Sequence, residues 1–295
     1  MNGLPIFLVT VALLAQGPAP EKSAARLVGF DELQHRLADP NLRLLDARPR
    51  DDYDMGHIQG AVWVDVKAAE KLAARPGGLA DRAAWEAWLE PLGIGPDSHV
   101  LIYDAKRQLD AARVRWLLSY LGVDHVGLVN GGFPLWEKEQ RPVTYEPAKV
   151  QPRRYAVHFQ KGRLAGRGDV LAALRQGKSQ IIDARTEAEH TGAVKRSKRG
   201  GRIPRACPAE WTKFVDADGR FLDELALKAI LSKAGVKSGE PVITHCQSGG
   251  RASVDAFVFE HLGFPTRNYY LGWSDWGNAD DTPVESGPAA KSTPR

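Results

Sequence analysis

Short runs of branched apolar residues alternate along the chain with segments whose apolar side chains recur at helical spacing. The apolar runs predict strands at 42–46, 61–66, 99–103, 126–129 and 241–244. The helical spacing predicts helices at 30–37, 81–92, 111–121 and from about residue 251. Strands that alternate with helices form a largely parallel sheet covered by helices on both faces, so the pattern predicts the α/β class.

The second half of the chain repeats the first. The tripeptide Asp-Ala-Arg at 46–48 recurs at 183–185, the strand at 100–104 matches 242–246, and the Gly and Trp at 132 and 136 match those at 272 and 276. The offsets stay between 137 and 142 residues, which indicates a duplicated domain. We therefore predict a leader at 1–20, a first domain at 26–140, a proline-rich linker at 141–160, a second domain at 161–280 and a flexible tail at 281–295.

The leader contains an apolar run at 4–15, which is too short to span a bilayer and is followed by a Gly-Pro-Ala-Pro segment. It resembles the core of a signal peptide, although no Lys or Arg precedes it. We therefore predict a periplasmic or secreted protein without a stable membrane span. The alternative is a cytoplasmic protein with an uncleaved or misassigned start.

Charge is distributed unevenly between the two halves. The whole chain has a net charge of +4, with about −3 in residues 1–150 (17 basic, 20 acidic) and about +7 in residues 151–295 (23 basic, 16 acidic). A small anionic substrate or nucleic acid would explain the bias, but no basic stripe interleaved with aromatic residues supports nucleic acid. The segment 195–205 holds six basic residues, and it is either a solvated loop, an electrostatic funnel for anions or a nucleic-acid contact.

Two cysteines, Cys207 and Cys246, exclude a disulfide scaffold and a Cys-rich metal site. The eight histidines show no metal-ligand spacing, so we expect neither a metal nor a cofactor. Cys207 is either a small core residue or the partner of Cys246 in a reversible disulfide.

Cys246 follows the predicted strand 241–244 and precedes a loop that leads into a helix. The loop consists of Gln247, Ser248, Gly249, Gly250 and Arg251. A thiol inside backbone N–H groups at a helix N-terminus has a lowered pKa and faces an anion site. We predict that Cys246 is a nucleophile and that the five loop residues bind its anionic substrate. The alternative is a core cysteine that ends a strand.

The loop has four residues between Cys246 and Arg251, whereas cysteine-type phosphatases need five. Its six-residue length resembles the loop of the rhodanese sulfurtransferases. The segments DARPRDDYDMGHIQGA at 46–61 and YYLGWSDWGN at 269–278 are similar to signatures of the tandem rhodaneses. The resemblance implies two rhodanese-like domains that face each other across a cleft, of which the first, with Asp104 at the cysteine position, is inactive.

The resemblance also implies an activity. Sulfane sulfur would move from thiosulfate to cyanide or a thiol acceptor through a persulfide on Cys246, in a protein that we expect to be monomeric. Arg185 would contact the anionic donor, or else form a structural ion pair with Asp183. Arg251 would either contact the donor or pair with Asp255 in the next helical turn.

Three other functions stay open. Ser248 resembles the loop of 3-mercaptopyruvate sulfurtransferases, but Lys67 replaces an acidic residue of those enzymes and favours thiosulfate. A cysteine-dependent phosphatase or arsenate reductase would need a longer loop. A non-catalytic binding module is disfavoured by the intact cysteine loop. The segment 201–206 also departs from the resemblance, because Arg202 and Arg205 replace the usual His and Gly.

Overall fold

The structure, a computed structural model, describes residues 26–288. The leader lies outside these residues, so its export function stays a prediction. The strands of the first half are β1 (Arg26–Val28), β2 (Leu42–Asp46), β3 (His57–Ile58), β4 (Val62–Trp63), β5 (His99–Tyr103), β6 (Val126–Val129) and β7 (Val143–Thr144). Its helices are α1 (Phe30–Arg36), α2 (Arg50–Asp54), α3 (Val66–Ala74), α4 (Arg82–Leu89), α5 (Leu109–Tyr120) and α6 (Phe133–Lys138).

The second half has the same architecture. Its strands are β8 (Gln180–Asp183), β9 (Cys207–Pro208), β10 (Val242–His245) and β11 (Thr266–Tyr269). Its helices are α7 (Arg167–Gln176), α8 (Glu187–Thr191), α9 (Glu224–Lys233), α10 (Gly250–His261) and α11 (Gly272–Trp276). Single 3₁₀ turns lie at Gly78–Ala80, Glu90–Leu92, Lys161–Arg163 and Trp211–Phe214.

Each half contains one parallel sheet. The first has the strand order β1-β6-β5-β2-β4, and the second has the order β11-β10-β8-β9, with Leu164 bridging to β11 where β1 lies in the first copy. Helices follow the strands in both halves. The predicted α/β class and the duplication are therefore confirmed. Among the described residues, no helix is both long and apolar enough to cross a membrane.

Two predicted elements are shorter than expected. The strand predicted at 61–66 ends at Trp63, because the Asp65 side chain accepts a hydrogen bond of 2.8 Å from Ala68 N and caps α3. The helix predicted at 81–92 ends at Leu89 and continues as a 3₁₀ turn that contains Pro91. Proline lacks the amide donor that a regular helix needs there.

The tail predicted at 281–295 is not free where the structure describes it. Trp276 Nε1 donates a hydrogen bond of 2.9 Å to Pro283 O, and Arg202 forms a backbone bridge with Glu285. The first copy has the same arrangement, since Trp136 Nε1 donates 2.9 Å to the Pro142 carbonyl and β3 pairs with β7. The segment that follows each domain is thus packed onto it in the described part of the chain, and the flexibility of the tail stays a prediction.

The two domains share one hydrophobic core through the equivalent helices α5 and α10. Every residue of α5 from Asp110 to Tyr120 is buried, and Trp116 stacks on Tyr270 of the second domain with ring centroids 4.9 Å apart. Because both helices start at the carboxyl edge of their sheets, the two cysteine-position loops face the domain interface.

A buried ion pair also crosses this interface. Arg115 of α5 lies 2.7 Å from Glu260 of α10, and Arg163 lies 2.8 Å from the other oxygen of the same carboxylate. Burial raises the pKa of Glu260, but the charges of the two arginines outweigh that effect and lower it. Removing the carboxylate would leave two guanidinium groups uncompensated.

We therefore expect Glu260→Ala to lower the free energy of unfolding by about 3–5 kcal/mol. Urea titration followed by fluorescence and circular dichroism measures this change. The matched control is Glu224→Ala on α9, which breaks an exposed pair with Lys228 and should change the stability far less. Equal effects of the two substitutions would show that the interface pair does not stabilise the fold.

Candidate active site

Cys246 lies directly after β10, where the backbone turns into α10. The turn requires glycine at position 249, because its φ is +88° and a Cβ there would lie 2.5 Å from the Tyr270 ring. Gly272 has φ +52°, and a Cβ there would lie 2.3 Å from Cys246 O. The Cys246 carbonyl accepts a hydrogen bond of 2.7 Å from Trp273 N. Two glycines and this bond thus hold the loop in one conformation.

The equivalent loop of the first domain contains Asp104 instead of cysteine. Its fully buried carboxylate accepts backbone hydrogen bonds of 2.9–3.1 Å from Lys106, Gln108, Asp110 and Ala111. Burial raises the pKa of Asp104, and these amides act against that rise. The loop before α5 therefore shows that a loop of this conformation, at the start of a helix, can bind a carboxylate through converging backbone N–H donors. In the second domain, the side chain at the same position is a thiol.

A cavity of about 380 Å³ opens above Cys246 between the two domains. It is lined by Leu109, Arg113, Arg196, Cys246, Gln247, Ser248, Gly250 and Arg251. The structure thus brings Cys246 together with four of the predicted loop residues, while Gly249 forms the turn behind them. The residue Cys246 is only 2% exposed, so only a small reactant can reach its thiol.

Arg185 does not line this cavity. Its guanidinium donates hydrogen bonds of 2.8 and 2.6 Å to the Asp183 carboxylate and one of 2.8 Å to Gly201 O. In the first copy, Arg48 makes the same contacts with Asp46 and with Gly56 O. The structural ion pair, which the sequence left as the alternative to a donor contact, is therefore the arrangement of Arg185 in this structure.

Arg251 lines the cavity. The pair with Asp255, one of the two alternatives that the sequence left open, is not formed. The Arg251 guanidinium forms two hydrogen bonds, of 2.6 and 3.0 Å, with Glu189 on α8. Although burial raises the pKa of Glu189, these bonds and the charge of Arg251 lower it to about 2. Asp255 is fully buried, and burial together with Cys246 and Asp183 raises its pKa well above the ordinary range.

Arg113 is a cavity residue that the sequence analysis missed. It belongs to α5 of the first domain, and its Nη1 donates bonds of 2.9 Å to Ser248 O and 3.0 Å to Tyr270 Oη. Its Nη2 lies 2.7 Å from Glu70. A signal was present, because an arginine inside a largely buried helix needs a partner. The first domain thus supplies a cation to the catalytic loop of the second.

The basic segment 195–205 contributes little free charge to the cavity. Arg199 and Arg202 donate side-chain hydrogen bonds to the backbone carbonyls of Thr282 and Gly287, respectively, which fixes the segment after α11. Lys198 pairs with Asp280. Arg196 lies 3.1 Å from Glu189 and lines the cavity, whereas Lys195 is exposed. Most of this charge therefore anchors a loop, and Arg196 is the member that can meet a substrate.

Cys207 lies too far from Cys246 for a direct disulfide. In the sheet register, Cys207 of β9 is opposite Ile182, which is opposite Thr244 of β10. Two strand spacings of ~4.8 Å separate Cys207 from Thr244, and Cys246 lies further along the chain. A disulfide needs Cα atoms closer than about 7 Å. Cys207 instead packs against the core, where burial raises the pKa of its thiol.

The comparisons with known proteins agree with this geometry. The rhodanese-like domain profile matches residues 30–139 and 167–279. The chain belongs to the rhodanese family. It is 32% identical to the thiosulfate sulfurtransferase of Azotobacter vinelandii over 86% of this chain and 94% of that protein. It is 30% identical to the 3-mercaptopyruvate sulfurtransferase of Escherichia coli over 89% of this chain and 99% of that protein.

A solved rhodanese structure has the same fold. SseA from E. coli, described as a 3-mercaptopyruvate sulfotransferase, superimposes with a TM-score of 0.73 at 27% identity, covering 84% of this chain and 99% of that one. The predicted family and the two-domain rhodanese fold are therefore confirmed. Within residues 26–288, no group of three or more His, Cys, Asp or Glu side chains could hold a metal ion.

His245, next to Cys246, makes the stability of the fold depend on pH. It is fully buried, and neither ring nitrogen has a hydrogen-bond partner among the described residues. Burial and the nearby Arg185 lower its pKa to about 4, against the opposing charge of Asp183. The unfolded chain protonates this histidine near pH 6.5, whereas the folded chain does so only near pH 4.

Between pH 6.5 and pH 4, the unfolded chain carries a proton on His245 that the folded chain does not. The fold therefore becomes less stable as the pH falls from 6.5 to 4. The shift corresponds to about 3 kcal/mol. We expect His245→Leu to lose this part of the pH dependence while keeping its stability at pH 7. Urea titrations of both proteins at a series of pH values measure it. Parallel stability curves would show that His245 is not responsible.

Proposed function

We propose that the protein is a sulfurtransferase that accepts sulfane sulfur from thiosulfate on Cys246 and passes it to cyanide or a thiol. The observation that carries this proposal is the interdomain cavity, where the nearly buried thiol lies beneath Arg113, Arg196 and Arg251. Three cations stand against the two carboxylates that pair with them, Glu70 and Glu189. Such a site favours a small anion.

In the first step, the Cys246 thiolate attacks the outer sulfur of thiosulfate. A bond forms between the two sulfurs, the bond within thiosulfate breaks, and sulfite leaves with the electron pair. The product is a persulfide on Cys246, whose outer sulfur carries negative charge. The loop amides before α10 can bind that charge, as the matching amides bind the Asp104 carboxylate.

The arginines support this step electrostatically. Arg251 is held by Glu189, and Arg113 is held by Glu70 and by the Ser248 carbonyl, so both cations are ordered before substrate binds. Burial lowers the pKa of Arg113, but Tyr270, Glu70 and Cys246 outweigh this effect and raise it, which keeps the guanidinium charged. Charges that need no reorganisation are the most effective in stabilising a developing anion.

In the second step, cyanide or an acceptor thiolate attacks the outer persulfide sulfur and releases the Cys246 thiolate. Two half-reactions that share one sulfur carrier give ping-pong kinetics. The second candidate donor is 3-mercaptopyruvate. Ser248, an exposed residue in the cavity wall, favours this donor because its hydroxyl could donate a proton to the group that leaves when the sulfur is transferred. A relative with each activity covers most of the chain.

We expect Cys246→Ser to remove sulfur transfer and leave the fold intact, because a hydroxyl has the same shape but forms no persulfide. Mass spectrometry after incubation with thiosulfate should show one added sulfur, about 32 Da, on Cys246 of the parent. Cys207→Ser is the matched control and should load normally. A phosphatase or a non-catalytic module would show no added sulfur in any of the three proteins, which would refute the proposal.

We expect Arg113→Gln to lower kcat/KM for thiosulfate by about tenfold or more, because it removes a charge-assisted contact of at least ~1.4 kcal/mol at the donor site. Arg113→Lys keeps the charge and should recover part of the loss. Steady-state rates with a fixed cyanide concentration measure the effect. If both variants behave like the parent, the first domain does not take part in donor binding.

A further inference from the structure

One carboxylate holds two of the three arginines that line the catalytic cavity. Glu189 of α8 accepts hydrogen bonds of 2.6 and 3.0 Å from Arg251, and its Oε1 lies 3.1 Å from Nε of Arg196. Both arginines are cavity residues, whereas Glu189 is not. Because Glu189 is only 2% exposed, it can act on a substrate only through the two guanidinium groups.

The position of this carboxylate is fixed by the first turn of α8. Thr186 caps the helix, and its Oγ1 donates a hydrogen bond of 3.0 Å to Glu189 Oε2 while it accepts one of 3.3 Å from Glu189 N. This reciprocal pair is a capping box. Although burial raises the pKa of Glu189, the bonds from Arg251 and Thr186 lower it to about 2, so the group is a carboxylate at neutral pH.

The first copy of the domain lacks this arrangement. The offset of 137 residues between the two Asp-Ala-Arg tripeptides places Asp52 at the position of Glu189. Asp52 forms no ion pair with any described residue, and α2 begins at Pro49 without a side-chain cap. The first copy therefore folds without a carboxylate that joins two arginines. Its presence only in the copy with Cys246 indicates a role in the reaction.

Arg196 belongs to a segment that is longer in the second copy. Gly56 and Gly201 occupy matching positions, because the carbonyl of each accepts a hydrogen bond from the arginine of its Asp-Ala-Arg tripeptide. Two residues separate Tyr53 from Gly56, whereas ten separate His190 from Gly201. We call these ten residues, 191–200, the inserted segment.

The backbone of the inserted segment is tied to the catalytic loop. Gln247 Nε2 donates hydrogen bonds of 3.3 Å to Arg196 O and 3.0 Å to Ser197 Oγ. The Arg196 side chain is 60% exposed, compared with 18% for Arg251. Among the described residues, Glu189 is the one ion-pair partner of the Arg196 guanidinium. The direction of this exposed cation therefore depends on Glu189.

We propose that Glu189 is a positioning residue for the loading of sulfur onto Cys246, which keeps the guanidinium groups of Arg196 and Arg251 directed at the donor. The proposal rests on the sulfurtransferase function proposed above. Loading forms the bond between Sγ and the outer sulfur, and sulfite leaves with the electron pair of the broken bond. Glu189 exchanges no proton in this step. Cations that are already oriented stabilise the moving negative charge without reorganisation.

Charge and position predict opposite effects when Glu189 becomes neutral. Glu189→Gln adds one net positive charge beside the cavity, which by itself favours binding of the thiosulfate dianion. The amide also presents N–H donors to two guanidinium groups that need acceptors, so both cations lose their fixed positions. A positioning role therefore affects the rate of loading, whereas a role through charge alone affects donor binding.

Single-turnover loading separates the two effects. Each protein is mixed with a series of thiosulfate concentrations without an acceptor, and the added sulfur on Cys246 is followed by mass spectrometry. The data give a maximal rate constant and a half-saturating concentration. Glu189→Gln and Glu189→Asp are compared with Glu187→Gln, which removes an exposed charge from the same helix that has no ion pair with any described residue.

We expect Glu189→Gln to lower the maximal rate constant by about ten- to hundredfold, because small misplacements of positioned groups have effects of this size. The half-saturating concentration should not rise, since the cavity gains positive charge. Glu189→Asp keeps the charge on a shorter side chain and should recover part of the loss. Glu187→Gln should load like the parent. Circular dichroism gives the folded fraction of each protein, by which the rates are normalised.

A lower half-saturating concentration with an unchanged maximal rate constant would show that Glu189 acts through its charge alone. A loss that disappears after normalisation to folded protein would show a purely structural role. If Glu189→Gln does not fold, Glu189→Asp decides, because a maximal rate constant equal to that of the parent would overturn the proposal. Failure of the parent itself to load sulfur would instead refute the proposed function.

Discussion

Converging backbone amides at the start of a buried helix are the interaction on which both domains depend. In the first domain these amides are satisfied by the Asp104 carboxylate, which belongs to the protein itself. In the second domain the residue at the same position is Cys246, and the loop is held by Gly249, by Gly272 and by the bond from Trp273 N. Duplication has thus produced one loop closed by its own carboxylate and one loop that holds a thiol at the same position.

The domain interface determines which anion can enter. Helices α5 and α10 begin at the two loops and pack against each other, so the catalytic loop faces the first domain instead of open solvent. Arg113 reaches across this interface to the Ser248 carbonyl. The first domain therefore has a chemical as well as a structural role, because it closes the cavity and adds a cation to it. Because Cys246 is only 2% exposed, we expect only small or slender partners to reach its thiol.

Local sequence determined much of what could be predicted. The strands at 42–46, 99–103 and 126–129 and the loop at Cys246 follow from short-range patterns, and the duplication follows from repeated motifs. Contacts between distant segments are harder to derive in this way, although two of them leave a local signal. Arg185 is paired like Arg48, a parallel that the repeated Asp-Ala-Arg tripeptide already indicated. The packed segment after Trp276 also had a signal, since a proline follows each of the two matching tryptophans.

The central claim is that the loop amides before α10 hold the outer sulfur of a Cys246 persulfide inside the interdomain cavity. A crystal structure of the protein after exposure to thiosulfate, without an acceptor, tests it most directly. We predict electron density for one extra sulfur on Cys246, within hydrogen-bond reach of the backbone N–H groups of residues 248–251. An extra sulfur that points away from these amides, or a loaded protein whose loop has opened, would contradict the account.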